Sequence, residues 1–139
     1  MAIRFSGYQS TGNKVGTSWV VSKDVALDKV KDVCLSVADD AYFPNAEINF
    51  DLTEILVSTD YTGDVNTATW KNVVYPERKG QSKVVSASSL APKANGIMLK
   101  DLIGANATKV TVAFRYTSTV ASSPWWGVAD LTLTAVPAE

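Results

Sequence analysis

The sequence predicts an all-β fold: an antiparallel sandwich or jelly roll. Three alternations point to it, Val33, Leu35 and Val37, then Ile55, Val57 and Thr59, then Val110, Val112, Phe114 and Tyr116. Each puts one set of side chains on a single face of a strand, because the side-chain period of a strand is two. Long helical periodicity is missing. Gly, Pro, Asn and Asp recur between short apolar runs, which is the pattern of sandwiches built from many short strands.

Taken in order, 5–16 is rich in Gly, Ser, Thr and Asn and reads as loop or irregular edge. Ser18 to Ser22, with Trp19, Val20 and Val21, reads as a short strand. Val25 to Val30 fits either a helical turn or the lead into a strand. Lys31 to Ala38 is a strand, and Asp39 to Asn45, with Pro44, is expected to break it. Ala46 to Phe50 reads as a short strand. Glu54 to Asp60 is a strand with Leu56, Ser58 and Asp60 opposite the apolar face, followed by a polar loop from Thr62 to Thr69 and an aromatic anchor at Trp70.

The second half continues in the same way. Asn72 to Tyr75 is a strand end, Pro76 to Gly80 a turn, Lys83 to Ser86 a short strand and Ser88 to Gly96 a loop. Ile97 to Leu102 mixes strand character with a turn. Lys109 to Thr117 is a strand with Arg115 and the threonines on its far face. Val120 to Pro124 is a loop, and Trp126 to Val136 is the closing strand that Pro137 ends.

A chain of 139 residues is a one-domain length, sufficient to bury a core, so residues 1–139 are expected to form one domain. With 46% hydrophobic and 19% charged residues the balance is globular rather than disordered. The net charge is -1 and the charges are scattered, so nucleic-acid binding lacks electrostatic support. No apolar run approaches the roughly 20 residues of a membrane span. The first residues lack the apolar core of a signal peptide, which fits a cytoplasmic protein or a domain excised from a longer one. Cys34 is the single cysteine; it lies in the run Val33-Cys34-Leu35 and is expected to be a buried small hydrophobe. Histidine is absent, which removes Ser-His-Asp and Cys-His machinery and imidazole metal sites.

Four candidate groups remain. Asp60, Asp64 and Asn66 surround Gly63 and serve either as oxygen ligands for calcium or as turn residues that cap backbone groups. Gly63 comes too early for an EF-hand, and no Glu closes the loop. Asp39 and Asp40 are a carboxylate pair, but neighbours on a strand face opposite ways and do not flank one cleft, so a solvated strand end is expected. Trp70, Tyr75, Trp125 and Trp126 are aromatic candidates for stacking on a sugar, for protein contact or for core packing. Arg115 is expected to meet an anion or to pair with an acid on a neighbouring strand.

Several of these words resemble one family. Leu56-Val57-Ser58-Thr59-Asp60-Tyr61-Thr62-Gly63-Asp64 followed by Ala68-Thr69-Trp70, the strand Val112-Ala113-Phe114-Arg115-Tyr116-Thr117-Ser118-Thr119, and the closing Trp126-Gly127-Val128-Ala129-Asp130-Leu131-Thr132-Leu133 are similar to segments of Bacteroidetes jelly-roll modules of the cleaved-adhesin and choice-of-anchor J type. Ser18-Trp19-Val20-Val21-Ser22 is similar to a further segment of that family. The chain departs from the pattern in two places: a family proline is Ser22 or Lys23 here, and one of two closing acids is Ala129, leaving Asp130.

The resemblance implies a galactose-binding-like jelly roll, exported to the periplasm or cell surface or secreted, often as part of a longer lipoprotein. It assigns the structural tryptophan to Trp126 and leaves Trp125 exposed. It also implies Asp130 as a calcium ligand beside Asp60 and Asp64. The functional expectation is a non-catalytic binding or adhesion module for a glycan or a cell-surface protein. Its recognition surface would be built by the loops at Tyr61 to Asn66 and Ala121 to Trp125, with Tyr61, Asp64, Asn66 and Trp125 as its contacts. The alternatives are a structural spacer within a larger surface protein and a carboxylate-based hydrolase. Val112, Phe114, Trp126, Leu131 and Leu133 are expected in the core.

Overall fold

The computed structural model describes residues 2–7, 9, 11–43, 49–74, 80–81 and 96–137. The described residues run β1 (Ala2–Phe5), β2 (Gly16–Val21), β3 (Val25–Ala26), β4 (Val30–Tyr42), a 3-10 turn (Phe50–Leu52), β5 (Thr53–Ser58), β6 (Lys71–Asn72), β7 (Gly80–Gln81), β8 (Ile97–Met98), a short helix α1 (Lys100–Ile103), β9 (Lys109–Ser118) and β10 (Trp125–Pro137). The strands form two sheets: β1-β10-β4-β7 with β8 also on β4, and β2-β9-β5-β6 with β3 also on β9. All pairings are antiparallel except the short parallel one between β4 and β7. The two sheets pack face to face as a β-sandwich. No helix among the described residues is long and apolar enough to cross a membrane.

The core is read directly from the alternation. Val110, Val112, Phe114 and Tyr116 of β9 point inward with Ile55 and Val57 of β5, and all are buried. Val33, Leu35, Val37 and Ala41 of β4 face them from the other sheet, with Phe5, Trp126 and Val128. Trp126 is the largest fully buried side chain. It stacks on Phe5 with centroids 5.1 Å apart and meets Phe114 edge-on at 5.9 Å. Leu131 and Leu133 are only half-buried against this cluster, short of the full burial expected.

The observed strands depart from the expected ones in identifiable places. Ala2–Phe5 is a strand; its Ile3 and Phe5 alternate, but four residues give too short a period to read. β4 does not break at Asp39 and continues to Tyr42, because Asp39 and Asp40 are held within the ladder opposite Val128 and Gly127. Phe50 belongs to a 3-10 turn capped by the Asn49 side chain rather than to a strand. Val25–Ala26 resolves as strand. After β8, Lys100–Ile103 is helical. Trp125 and Pro137 both lie within β10. Most of the expected strand over 46–50, the turn at 76–80, the strand at 83–86, the loop at 88–96 and the aromatic candidate Tyr75 lie wholly or mainly outside the described residues. Cys34 is half-buried rather than buried and stands on the outer face of its sheet, opposite Met98.

Candidate functional site

The two loops expected to share a recognition surface lie at opposite ends of the sandwich. The loop after β5 is fixed at the start of β9: Ser58 pairs with Thr111, and the Lys109 ammonium donates to the Tyr61 carbonyl at 2.6 Å. The loop at Ala121 to Trp125 follows the other end of β9. Ten strand residues at roughly 3.4 Å each separate those ends by about 30 Å. Tyr61, Asp64 and Asn66 are therefore not brought together with Trp125, and the composite surface is not formed.

Each loop spends its polar groups on itself. Asp60 Oδ1 accepts from the Ser58 hydroxyl at 2.7 Å and the Thr69 amide at 2.8 Å. These bonds, the serine's foremost, hold its carboxyl below the usual carboxylate range. Asp64 Oδ1 accepts from the Asn66 amide at 2.9 Å in a turn closed by side chain. The Trp70 indole N–H donates to the Val65 carbonyl at 3.0 Å and folds the loop back on itself. Trp70 then packs between Tyr61 and Trp19, with centroids 5.7 and 5.3 Å away and rings tilted by 46° and 41°. Trp19 carries the Arg115 guanidinium 5.1 Å above its ring, and Arg115 pairs with Glu54 on β5. Trp19, Arg115 and Glu54 lie directly across three strands from one another, so the expected cross-strand partner of Arg115 is Glu54. The cluster lies on the outer face of the second sheet, where Leu56 and Ala113 are buried although they point away from the core.

At the far end, the Tyr116 hydroxyl donates to the Pro124 carbonyl at 2.7 Å and accepts from the Gly7 amide at 3.0 Å. Asn13 donates its side-chain amide to the Thr119 and Val120 carbonyls, each at 3.2 Å. A Cβ on Gly7 would fall 2.7 Å from the Lys14 carbonyl oxygen and closer still to the Ser118 hydroxyl, so only glycine permits this approach. The loop before Trp125 is thereby tied to the N-terminal loop. Trp125 pairs with Tyr42 on the outer face of the first sheet and is half-buried rather than exposed.

The expected calcium ligands do not form one site. Calcium takes six to eight oxygens at 2.3–2.6 Å. Asp60 is engaged with Ser58 and Thr69, Asp64 caps its own turn, and Asp130 lies on β10 in the other sheet. Among the described residues no three acidic, cysteine or histidine side chains gather closely enough to hold a metal.

Asp39 and Asp40 are not a solvated strand end; both are buried, at 2% and 0% exposure. Asp39 faces the core and accepts from the Trp126 indole at 3.0 Å. Asp40 faces outward, and neither of its oxygens has a hydrogen-bond partner; the Ala41 amide leans toward the carboxylate without reaching bonding geometry. Burial, with the negative charge of Asp39 adding to it, pushes the Asp40 carboxyl up to about 6. A folded-state pKa above the unfolded value of about 3.9 favours folding only while the group is protonated. That contribution is full below about pH 4 and is lost as the pH rises through about 6. The whole shift corresponds to roughly 3 kcal/mol. Relaxation of the surroundings and water penetration when the carboxyl ionises reduce this to about 1–2 kcal/mol. Asp40→Asn should therefore flatten the loss of stability between pH 4 and 6 and raise stability at pH 7 by about 1–2 kcal/mol. Urea midpoints across that range check it; parallel curves for parent and variant would retire the buried carboxylate.

The described residues also form a cleft that, of the candidate site residues, only Asp130 lines. A space of about 220 Å³, half open to solvent, lies between the terminal strands of the two sheets. Ile3, Val20, Val21, Phe114, Val128 and Leu131 provide its apolar wall, and Ser22 and Asp130 add polar groups. Its shape follows from a bulge. Between Ala129 and Thr132, β10 advances three residues while β4 advances two, and Asp130 takes up the extra residue at φ 56°. The bulge changes the phase of the alternation, so Val128 before it and Leu131 after it both face the space between the sheets. The signal available in the sequence was the repeat Leu131-Thr132-Leu133-Thr134, but nothing in it marks the bulge.

No family model matches the chain, and no curated protein matches it either.

Proposed function

We propose that this chain is a non-catalytic binding module that holds a protein segment at the cleft between its two sheets. The single observation that carries this reading is the cleft itself: about 220 Å³, half open and walled by aliphatic and aromatic side chains. Such a lining suits apolar side chains, and its two polar residues are few for the hydroxyls of a sugar. The glycan reading loses support because Tyr61 and Trp19 pack against Trp70 and Trp125 stands at the far end. The jelly-roll identity and a location outside the cytoplasm rest on the motif resemblance alone. A second reading, a structural spacer, is favoured by that same self-contained aromatic cluster.

Amide chemical-shift mapping separates these readings. A short apolar peptide should shift Ile3, Val20 to Ser22 and Val128 to Leu131, while simple sugars and oligosaccharides leave them unmoved. Shifts at Tyr61 to Trp70 with sugar, and none in the cleft with peptide, would restore the glycan reading. Silence at both places would leave the spacer.

A further inference from the structure

Among the described residues the first sheet is incomplete along one edge of β10. On one side β4 pairs with β10 from Trp125 to Pro137. On the other side β1 pairs only with Trp126 to Ala129. From Leu131 to Val136 no described strand lies on that side, so the amides and carbonyls that point away from β4 have no ladder partner there. A free edge of this kind is a template for another strand, and folded proteins usually blunt such edges with charge, proline or a covering element. This stretch, Leu-Thr-Leu-Thr-Ala-Val, carries no charge. The devices that blunt an edge stand only at its ends, the bulge with Asp130 before it and Pro137 after it.

The core beneath the edge is also incomplete. Leu131 and Leu133 point inward yet remain half-buried, as do Val20 and Val25 of the facing sheet. The cleft opens at this point, between Ile3 of β1 and the bulge at Asp130.

From these two observations we infer that the open edge of β10 accepts an extended segment of another polypeptide, in line with β1. Its inward side chains enter the cleft and pack on Leu131 and Leu133. The inference rests on reading the chain as a protein-binding module and names the partner's chemistry. The segment is about six residues long, since six residues of edge are free, and it is uncharged to match that edge. It alternates Val, Ile or Leu inward with Thr or Ser outward, as strand addition requires. A second copy of this chain does not suit the cleft. The inward side chains of its own β10 are already committed over its own second sheet, so edge-to-edge pairing would border the space without filling it.

The test uses the intact chain and two synthetic peptides. One is the blocked heptapeptide Thr-Val-Thr-Val-Thr-Val-Thr; the other has proline in place of the central valine and cannot continue a ladder. With the first, hydrogen exchange should slow about tenfold or more at alternate amides between Leu131 and Val136, those that point away from β4. The proline peptide should give no protection. Peptide-induced shifts in the cleft without protection of β10 would overturn strand addition while leaving a protein-binding cleft. No shift and no protection would overturn both. Protection that appears without peptide and grows with protein concentration, alongside a dimer in sedimentation, would overturn the inference in favour of a second copy.

Discussion

Trp126→Ala should lower stability by about 5 kcal/mol, at the upper end of the range for emptying a buried aromatic site. Two effects combine at this position. The indole is fully buried, stacked on Phe5 and edge-on to Phe114, so its removal leaves a void walled by rings that the ladder holds apart. The indole N–H also donates to Asp39, which is 2% exposed, and losing a donor to a buried carboxylate costs about 1.5–3 kcal/mol. For a domain of this size each kcal/mol moves the melting temperature by roughly 3–5 °C, so the midpoint should fall by roughly 15–25 °C. Trp126→Phe separates the effects. It keeps much of the ring volume and loses the hydrogen bond, so about 2 kcal/mol is expected. Equal losses in the two variants, measured by denaturant unfolding, would mean that the bond to Asp39 dominates and the packing contributes little.

What the sequence makes legible is what a two-residue period encodes over several repeats. β9 was readable from Val110, Val112, Phe114 and Tyr116 because one face is apolar for its whole length and Arg115 interrupts only the other. β5 was readable for the same reason, although Leu56 on its outer face is buried as well. The continuation of β4 was not legible. Asp39-Asp40 followed closely by Pro44 has the composition of a turn, and the cross-strand indole of Trp126, distant in sequence, gives a buried Asp39 a donor. Tertiary context outweighs local propensity there.

The candidate site was illegible for a related reason. Tyr61 and Trp125 look equivalent in sequence, since each lies in or beside a polar loop next to a strand. Their separation depends on which end of β9 each loop leaves, and that is a matter of topology. The cleft depends on a one-residue bulge at Asp130 and on where β1 stops, and neither changes the composition of its segment. The acidic residues expected to gather around calcium were dispersed by the same topology, because Asp130 belongs to the first sheet while Asp60 and Asp64 follow a strand of the second.

Phe114→Ala should cost about 3–5 kcal/mol and fall toward the lower end of that range. The ring is 3% exposed, points inward from β9 opposite Ile55 and Val20, and meets Trp126 edge-on. It differs from Trp126 in lining the half-open cleft. Truncation there enlarges a space already in contact with solvent, and water can occupy part of it, whereas the void at Trp126 is sealed. The expected fall in melting temperature is roughly 10–15 °C. Phe114→Leu, which keeps an apolar side chain against Ile3 and Val20, should recover at least half of the loss. The deepened cleft offers a second readout. If the wall of the cleft is correctly assigned, a small apolar probe such as benzene should raise the melting temperature of the Phe114→Ala variant more than that of the parent. An unchanged melting temperature in Phe114→Ala would place the ring in solvent and shift the register of β9 by one residue, turning Val110, Val112 and Tyr116 outward with it.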